Sequence, residues 1–149
     1  MRDALHIRPA TKRDLEAVLG LYRHLSPDDV LPDGDAAAAI WTEVLDAPGV
    51  TPLVGEVAGE IVATCTLVVV PNLTRGGRPF AFVENVVTHR AHRRRGHGLT
   101  LLQAAAQLAW SSNCYKIVLS TARTDEATLS FYEKAGFQRG TRTVFELRR

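Results

Sequence analysis

Arg93-Arg94-Arg95-Gly96-His97-Gly98 stands between an apolar, β-branched segment and a helical pattern opening at Leu99-Thr100-Leu101-Leu102. A strand that ends in a glycine turn and passes at once into a helix restricts the chain to folds in which helices cover a sheet. The same junction has a chemical consequence. The first turn of a helix carries backbone N–H groups without partners inside the helix. The helix dipole adds partial positive charge there, so the turn suits a phosphate-type anion. Glycines let the backbone approach a ligand that a side chain would hold off.

The rest of the pattern fills in that fold. Alternation over 5–8 predicts a first strand ended by Pro9. Thr11 suits a helix N-cap with Asp14 at the third position, and Leu15, Val18, Leu19, Tyr22 and Leu25 follow at helical spacing. A second helix is expected over 35–45. Strands over 51–57 and 60–70 meet at Ala58-Gly59, a hairpin signal. A polar loop over 71–79 leads to a strand over 80–87. After the turn come a helix ending near Trp110, a strand over 115–121, a helix over 125–135 stopped by Gly136, and a closing strand over 141–147. This order predicts an α/β (α+β) chain in one domain over 1–149. Its centre is a single mixed, mostly antiparallel sheet of six or seven strands flanked by helices.

Three glycine-turn families compete for the anion site. A Walker-type loop needs Gly-x-x-x-x-Gly-Lys-Ser/Thr, and no such run occurs. A dinucleotide fingerprint needs a third glycine and opens a βαβ chain, and Gly96-x-Gly98 meets neither condition. Arg93-x-x-Gly96-x-Gly98, after a strand and before a helix, resembles the Gln/Arg-x-x-Gly-x-Gly/Ala signature of the GNAT superfamily of N-acetyltransferases. The run 82–89 resembles that family's fourth strand. Asp125-Glu126-Ala127-Thr128-Leu129-Ser130-Phe131-Tyr132-Glu133-Lys134-Ala135-Gly136-Phe137 resembles its Asn-x-x-Ala-x-x-x-Tyr-Glu-Lys-x-Gly-Phe segment. With the hairpin at 57–62, the likeness covers about 7–147. In size and in the fourth-strand motif the chain resembles the compact glucosamine-phosphate N-acetyltransferase type.

The resemblance implies acetyl-CoA as acetyl donor and fourth and fifth strands that splay, the fourth carrying a bulge. It implies that the pyrophosphate is cradled by Arg93, Arg94, Arg95, Gly96, His97, Gly98, Leu99 and Thr100. Val86, Val87 and Thr88 would face the pantetheine arm, and Asp125, Thr128 and Phe131 would complete the coenzyme site. Glu84 is the candidate base, directly or through a water, for an amine that must attack as the neutral form. A backbone N–H near Val86 would serve the oxyanion. Tyr132 is the candidate acid for the departing thiolate. Asp125 stands where the family often has Asn, and an ionised Asp only accepts hydrogen bonds.

Other features bound the function. The chain is 46% hydrophobic and 23% charged with a formal charge of +2, ordinary for a globular protein, and its positive charge is local to 90–95. That argues against a nucleic-acid partner. No apolar run is long enough to span a bilayer, and no signal-peptide core opens the chain, so a cytoplasmic location is expected. Cys65 and Cys114 lack metal-ligand spacing and read as core residues. His89 and His92 have no visible third ligand, so no metal is expected, and Asn72-Leu73-Thr74 matches a glycosylation sequon without a secretion signal. Tyr22 and Trp41 read as packing residues.

The resemblance implies an acceptor site built from the first two helices with their connection over 25–35, the loop 71–79 with Arg75 and Arg78, and in some members a partner subunit. The aspartates of 25–35 read as a solvated, helix-capping loop, with attraction of a cationic amine as the alternative, and the arginines of 71–79 favour a phosphorylated or carboxylated acceptor. Two functions remain: N-acetyl transfer to a small-molecule primary amine, or a catalytically silent acyl-CoA-binding sensor or interaction module. Family habit adds a homodimer.

Overall fold

The structure, a computed structural model, describes residues 4–149. Its strands are β1 (His6–Pro9), β2 (Val50–Val57), β3 (Glu60–Val70), β4 (Phe80–Thr88) and β5 (Ile117–Val118). Its helices are α1 (Leu15–Leu25), α2 (Gly34–Asp46), the single turn α3 (Thr74–Gly77), α4 (His97–Ser111) and α5 (Glu126–Lys134). The sheet order is β1-β2-β3-β4-β5, with β5 parallel to β4 and every other pair antiparallel.

Each boundary has a local cause. Pro9 does not end β1 but closes it, opposite Leu53. It is tolerated because β1 lies at the sheet edge. A short 3-10 turn at Lys12–Asp14 precedes α1, and the Thr11 N–H donates to the Asp14 carboxylate at 2.7 Å. Arg8 holds Asp14 through two hydrogen bonds of 2.7 and 2.9 Å and reaches Glu56 at 2.9 Å, tying β1, the start of α1 and β2 together. The guanidinium holds the Asp14 carboxyl down at about 2 against the opposing effect of burial. Ala58 and Gly59 both adopt positive φ, 50° and 82°, as a two-residue hairpin turn requires. The polar loop after β3 contains α3, whose Arg75 and Gly76 are left-handed.

The sheet has two covered faces. Leu53, Cys65, Leu67, Ala81 and Val83 pack against Leu101, Leu102, Ala105 and Ala109 of α4. The opposite face places Val54 against Val18 of α1 and Trp41 of α2. The Trp41 indole donates to the Thr11 carbonyl at 3.0 Å, so its one polar atom is satisfied. Burial of a leucine such as Leu101 or Leu102, both essentially inaccessible, contributes roughly 1.5–3 kcal/mol.

Two expectations are corrected. The sheet has five strands, not six or seven, because 141–147 forms none among the described residues. Its alternation gives it an apolar side, but a strand also needs a neighbouring edge for its N–H and C=O groups. This segment pairs with no described strand, and Val144, Phe145 and Leu147 are exposed. The strand expected over 115–121 shrinks to two residues, because β4 and β5 pair only at Ala81–Ile117 and Phe82–Val118.

Candidate functional site

β4 is where the site begins. It pairs with β3 along its length, yet it meets β5 only near its start. From Val83 to Thr88 its outer edge has no β5 partner, so backbone donors and acceptors line a gap. The gap is deepened by a bulge. Thr64 pairs with Val87 and Thr66 with Glu84, so Cys65 faces the two residues Asn85 and Val86. Asn85 takes a left-handed conformation, φ 52°. Asn is among the few non-glycine residues that tolerate this.

Glu84 and Tyr132 flank the gap from opposite faces of the sheet. Glu84 shares the face of its partner Thr66, toward α1, and is exposed. Tyr132 and Phe131 of α5 pack on the cluster containing Cys65, on the α4 side. Val86 packs on that same cluster. Burial raises the Tyr132 phenol above its ordinary value, opposed by nearby Arg123. The hydroxyl is therefore a proton donor at neutral pH. The Cys65 thiol, deep in the core, is pushed up to about 12 by burial, which makes it inert.

At the end of β4 the chain turns sharply. Thr88 closes the strand, and its carbonyl accepts from the Arg93 Nε at 3.1 Å. Arg94 and Gly96 have positive φ, 62° and 86°, and α4 begins at His97. No side chain caps this helix. The Thr100 N–H and hydroxyl both turn back to the Gly96 carbonyl at 3.0 Å. His97, Gly98 and Leu99 thus present first-turn N–H groups with no helical acceptor, beside the exposed Arg93, Arg94 and Arg95. This geometry accommodates an anion.

The two glycines do different work. A Cβ on Gly96 would meet open space, so that glycine serves the left-handed backbone. A Cβ on Gly98 would lie 3.0 Å from the Phe131 ring and 3.3 Å from the Thr88 hydroxyl. Gly98 therefore lets α4 pack against α5 and the end of β4. His97 is buried, its ring centroid 6.2 Å from that of His92. His92 lies 5.7 Å from His89, and His89 lies 4.4 Å from His24 of α1, so four imidazoles form a string beside the turn. Burial, then His92 and Arg95, holds His97 below its ordinary value. Burial, then His89, Arg90 and Arg93, does the same for His24. Among the described residues no group of His, Cys, Asp or Glu is arranged to hold a metal ion.

Asp125 has a local role as the N-cap of α5. It accepts from the Thr128 N–H at 3.1 Å and the Thr128 hydroxyl at 2.8 Å, and it pairs with Arg123 at 2.7 Å. The arginine and threonine bonds hold its carboxyl well below the usual range. Arg78 is tied to the carbonyls of Asn113 and Cys114, and Arg75 stacks over Tyr115, so the basic loop leans on the segment 113–115 that precedes β5. The four aspartates of the α1–α2 segment are exposed. Sequence reasoning missed Asn85, the left-handed residue of the bulge, whereas Tyr22 packs as expected, its ring on the cluster of Val18, Trp41 and Val54. The signal for Asn85 was an Asn inside an otherwise β-branched run.

Residues 16–137 match the Acetyltransferase (GNAT) family. A glucosamine 6-phosphate N-acetyltransferase from Trypanosoma brucei brucei is 31% identical over 136 residues, 90% of this chain and 89% of that protein. A solved chain from Agrobacterium tumefaciens str. C58, described with an acetyltransferase assignment, superposes with a TM-score of 0.93 at 44% identity, over 97% of this chain and 99% of that one. An aminoglycoside N-acetyltransferase solved in complex with CoA shares the fold, with a TM-score of 0.81 at 23% identity over 99% and 96% of the two chains. No described helix is long and apolar enough to cross a membrane. The strand–turn–helix junction, the bulged fourth strand and the matched residues 16–137 place this chain in the GNAT family of acetyltransferases.

Proposed function

We propose that this chain transfers the acetyl group of acetyl-CoA to the primary amine of a small molecule, with an amino-sugar phosphate as the acceptor of first choice. The observation that carries the reading is the open outer edge of β4 followed, after a 3-10 turn at Arg90–His92, by a helix N-terminus that no side chain caps. An arm with amide groups can hydrogen-bond along such an edge while its diphosphate sits at the turn. The residues fit. Val86, Val87 and Thr88 line the edge, and the turn from Arg93 to Thr100 offers N–H groups and three guanidiniums. Phe131 lies beside Gly98, and Asp125 and Thr128, at the opening of the same helix, would complete the coenzyme site. The acceptor class is supported by the Trypanosoma relative and by Arg75 and Arg78, which suit an anionic substituent.

Acetyl-CoA supplies the acetyl group as a thioester. Glu84 takes a proton from the acceptor ammonium, directly or through water, so that the nitrogen attacks as a free amine. The Val86 N–H donates toward the carbonyl oxygen as negative charge develops on it. Tyr132 gives its proton to the departing sulfur, and the phenolate recovers one from the acylated nitrogen, directly or through water; its raised pKa keeps the phenol protonated at neutral pH. A homodimer is part of the proposal, since Val144, Phe145 and Leu147 leave apolar surface uncovered. Sedimentation of the full chain tests that part.

The deciding experiment measures thiol release from acetyl-CoA across amino-sugar phosphates, free amino sugars, aminoglycosides, polyamines and amino acids. Turnover with an amino-sugar phosphate at the highest kcat/KM is expected. Tight acetyl-CoA binding with no turnover on any amine would overturn the reading in favour of a coenzyme sensor.

A further inference from the structure

Between the end of β4 and the first residue of α4 the chain forms only the short turn Arg90–His92, yet its path is pinned at several points. Three of the pinning hydrogen bonds meet at one residue, His89. Its backbone N–H donates to the Val62 carbonyl of β3 at 2.7 Å, and its own carbonyl accepts from the His92 N–H at 2.8 Å. Its side chain caps the turn: Nδ1 accepts from the Ala91 N–H at 3.1 Å. The ring lies 4.4 Å from that of His24, which braces the turn on α1. Directly after the turn, the Arg93 Nε returns to the Thr88 carbonyl at 3.1 Å, and the left-handed Arg94 and Gly96 follow. Caps are usually Ser, Thr, Asp or Asn, whose oxygens accept hydrogen bonds throughout the neutral range. An imidazole accepts at Nδ1 only while it is neutral, because both nitrogens of the charged ring are donors.

We propose that His89 is a positioning residue of the coenzyme turn: its neutral imidazole caps the 3-10 turn and so holds Arg93 to Gly96 in place for an anion, and protonation at Nδ1 releases the cap. This role rests on the acetyl-CoA reading, because His89 acts on the ligand only through the turn. From α1 the ring faces His24; Arg90 and His92 flank it on its own turn, and Arg93 follows. It also borders a cavity of about 480 Å³ whose wall carries Asp14, Glu56 and Glu60. Arg8 already engages Asp14 and Glu56, and Glu60 lies 3.9 Å from the His92 Nε2. Two effects oppose each other when the ring gains a proton. The cap is lost, which loosens the anion site, and a positive charge appears, which attracts an anion. The new charge joins the exposed Arg90, Arg93, Arg94 and Arg95 and is screened by solvent, whereas the cap is a direct bond inside the turn. Loss of the cap therefore decides the sign, and coenzyme binding weakens as the pH falls.

Calorimetric binding of acetyl-CoA to the full chain, from about pH 8 down to about pH 5.5, spans the ordinary imidazole range and tests the role. His89→Asn keeps a capping oxygen that does not titrate, while His89→Leu keeps bulk beside His24 and removes the acceptor. At the alkaline end, His89→Asn should bind within about twofold of wild type and His89→Leu about fivefold more weakly, as for one lost cap. At the acid end the wild type should have lost about fivefold relative to His89→Asn and should approach His89→Leu. The ratio of wild type to His89→Asn removes the titration of His24, His92, His97 and the coenzyme phosphates, which both chains share. A ratio that does not move with pH would overturn the proposal. So would a wild type that gains on His89→Asn in acid, since the imidazolium would then be an anion ligand. If His89→Leu does not fold, that ratio carries the binding test alone. A second readout needs no coenzyme: nitrogen NMR of the free chain should place the neutral His89 proton on Nε2, with the Ala91 amide shift following the titration of that ring. A neutral ring protonated on Nδ1 would overturn the cap. If the wild-type chain binds no acetyl-CoA at any pH, the acetyl-CoA reading fails, and the tautomer and the Ala91 shift alone decide whether His89 is a pH-released cap.

Discussion

Gly96→Ala isolates the conformational demand of the turn, because nothing else about the site should change. A Cβ built on Gly96 meets no atom within 4 Å, so no clash contributes. What remains is backbone strain. At φ 86° an L-residue with a Cβ is disfavoured by about 1–2 kcal/mol. For a chain of this size that corresponds to a fall in melting temperature of roughly 2–8 °C. Gly96→Asn should lose about half as much, since Asn enters the left-handed region more readily. The assay is thermal and urea unfolding followed by circular dichroism, with the urea slope unchanged if only stability moves. Gly98→Ala provides the contrast. Its backbone is not left-handed, and alanine favours helix by about 1 kcal/mol, but its methyl group would press on Phe131 and Thr88. Shortening Phe131 to Leu should therefore relieve Gly98→Ala and leave Gly96→Ala uncorrected. Equal destabilisation by Ala and Asn at 96, or rescue of Gly96→Ala by Phe131→Leu, would refute the division of labour between the glycines.

Tyr132→Phe should lower kcat by roughly 10²-fold or more while calorimetric coenzyme affinity stays near wild type, as expected for loss of a general acid. Activity of the wild-type chain should fall on the alkaline side only at or above the ordinary phenol range, about 10, because burial raises Tyr132. Arg8→Ala leaves Asp14 almost buried without its guanidinium and should cost on the order of 2–3 kcal/mol in urea unfolding. His24 and His97 both titrate below their unfolded value. The unfolded state then binds more protons than the folded one as pH falls through about 6.5, so stability should decline from pH 7 to pH 5. His97→Gln should flatten that decline, and an unchanged pH profile in the variant would count against the buried-imidazole origin.

Much of this arrangement was legible in the chain. Apolar spacing gave the helices within a residue or two, since 3.6-residue periodicity at Leu15, Val18, Leu19 and Tyr22 reflects one buried face. The Ala58-Gly59 hairpin and the Arg-Gly turn were readable because positive φ narrows the choice of residue. The closing strand was not, because alternation describes only a face. Val144, Phe145 and Leu147 carry the pattern but pair with no described strand. β5 was over-extended for the same reason: its length is set by how soon it leaves β4. Asn85 was one polar position in a β-branched run, and only the pairing of β3 with β4 reveals the bulge there. The string of imidazoles joins α1 to the turn across 65 positions, from His24 to His89, a proximity that no local pattern encodes.

The bulge in β4 has a bearing on the colloidal behaviour of the protein as well. A long, flat strand edge is a template onto which another chain can add, and an unpaired edge of this kind invites aggregation. Here the left-handed residue at 85 divides the exposed edge, so that the stretch past the β5 contact is never a continuous flat row of donors and acceptors. The kink also leaves the Glu84 carboxylate exposed on the rim, a charge that an incoming strand would have to desolvate. Straightening the strand would therefore do more than misalign a site; it would leave the chain with an edge ready to recruit its neighbours in concentrated solution.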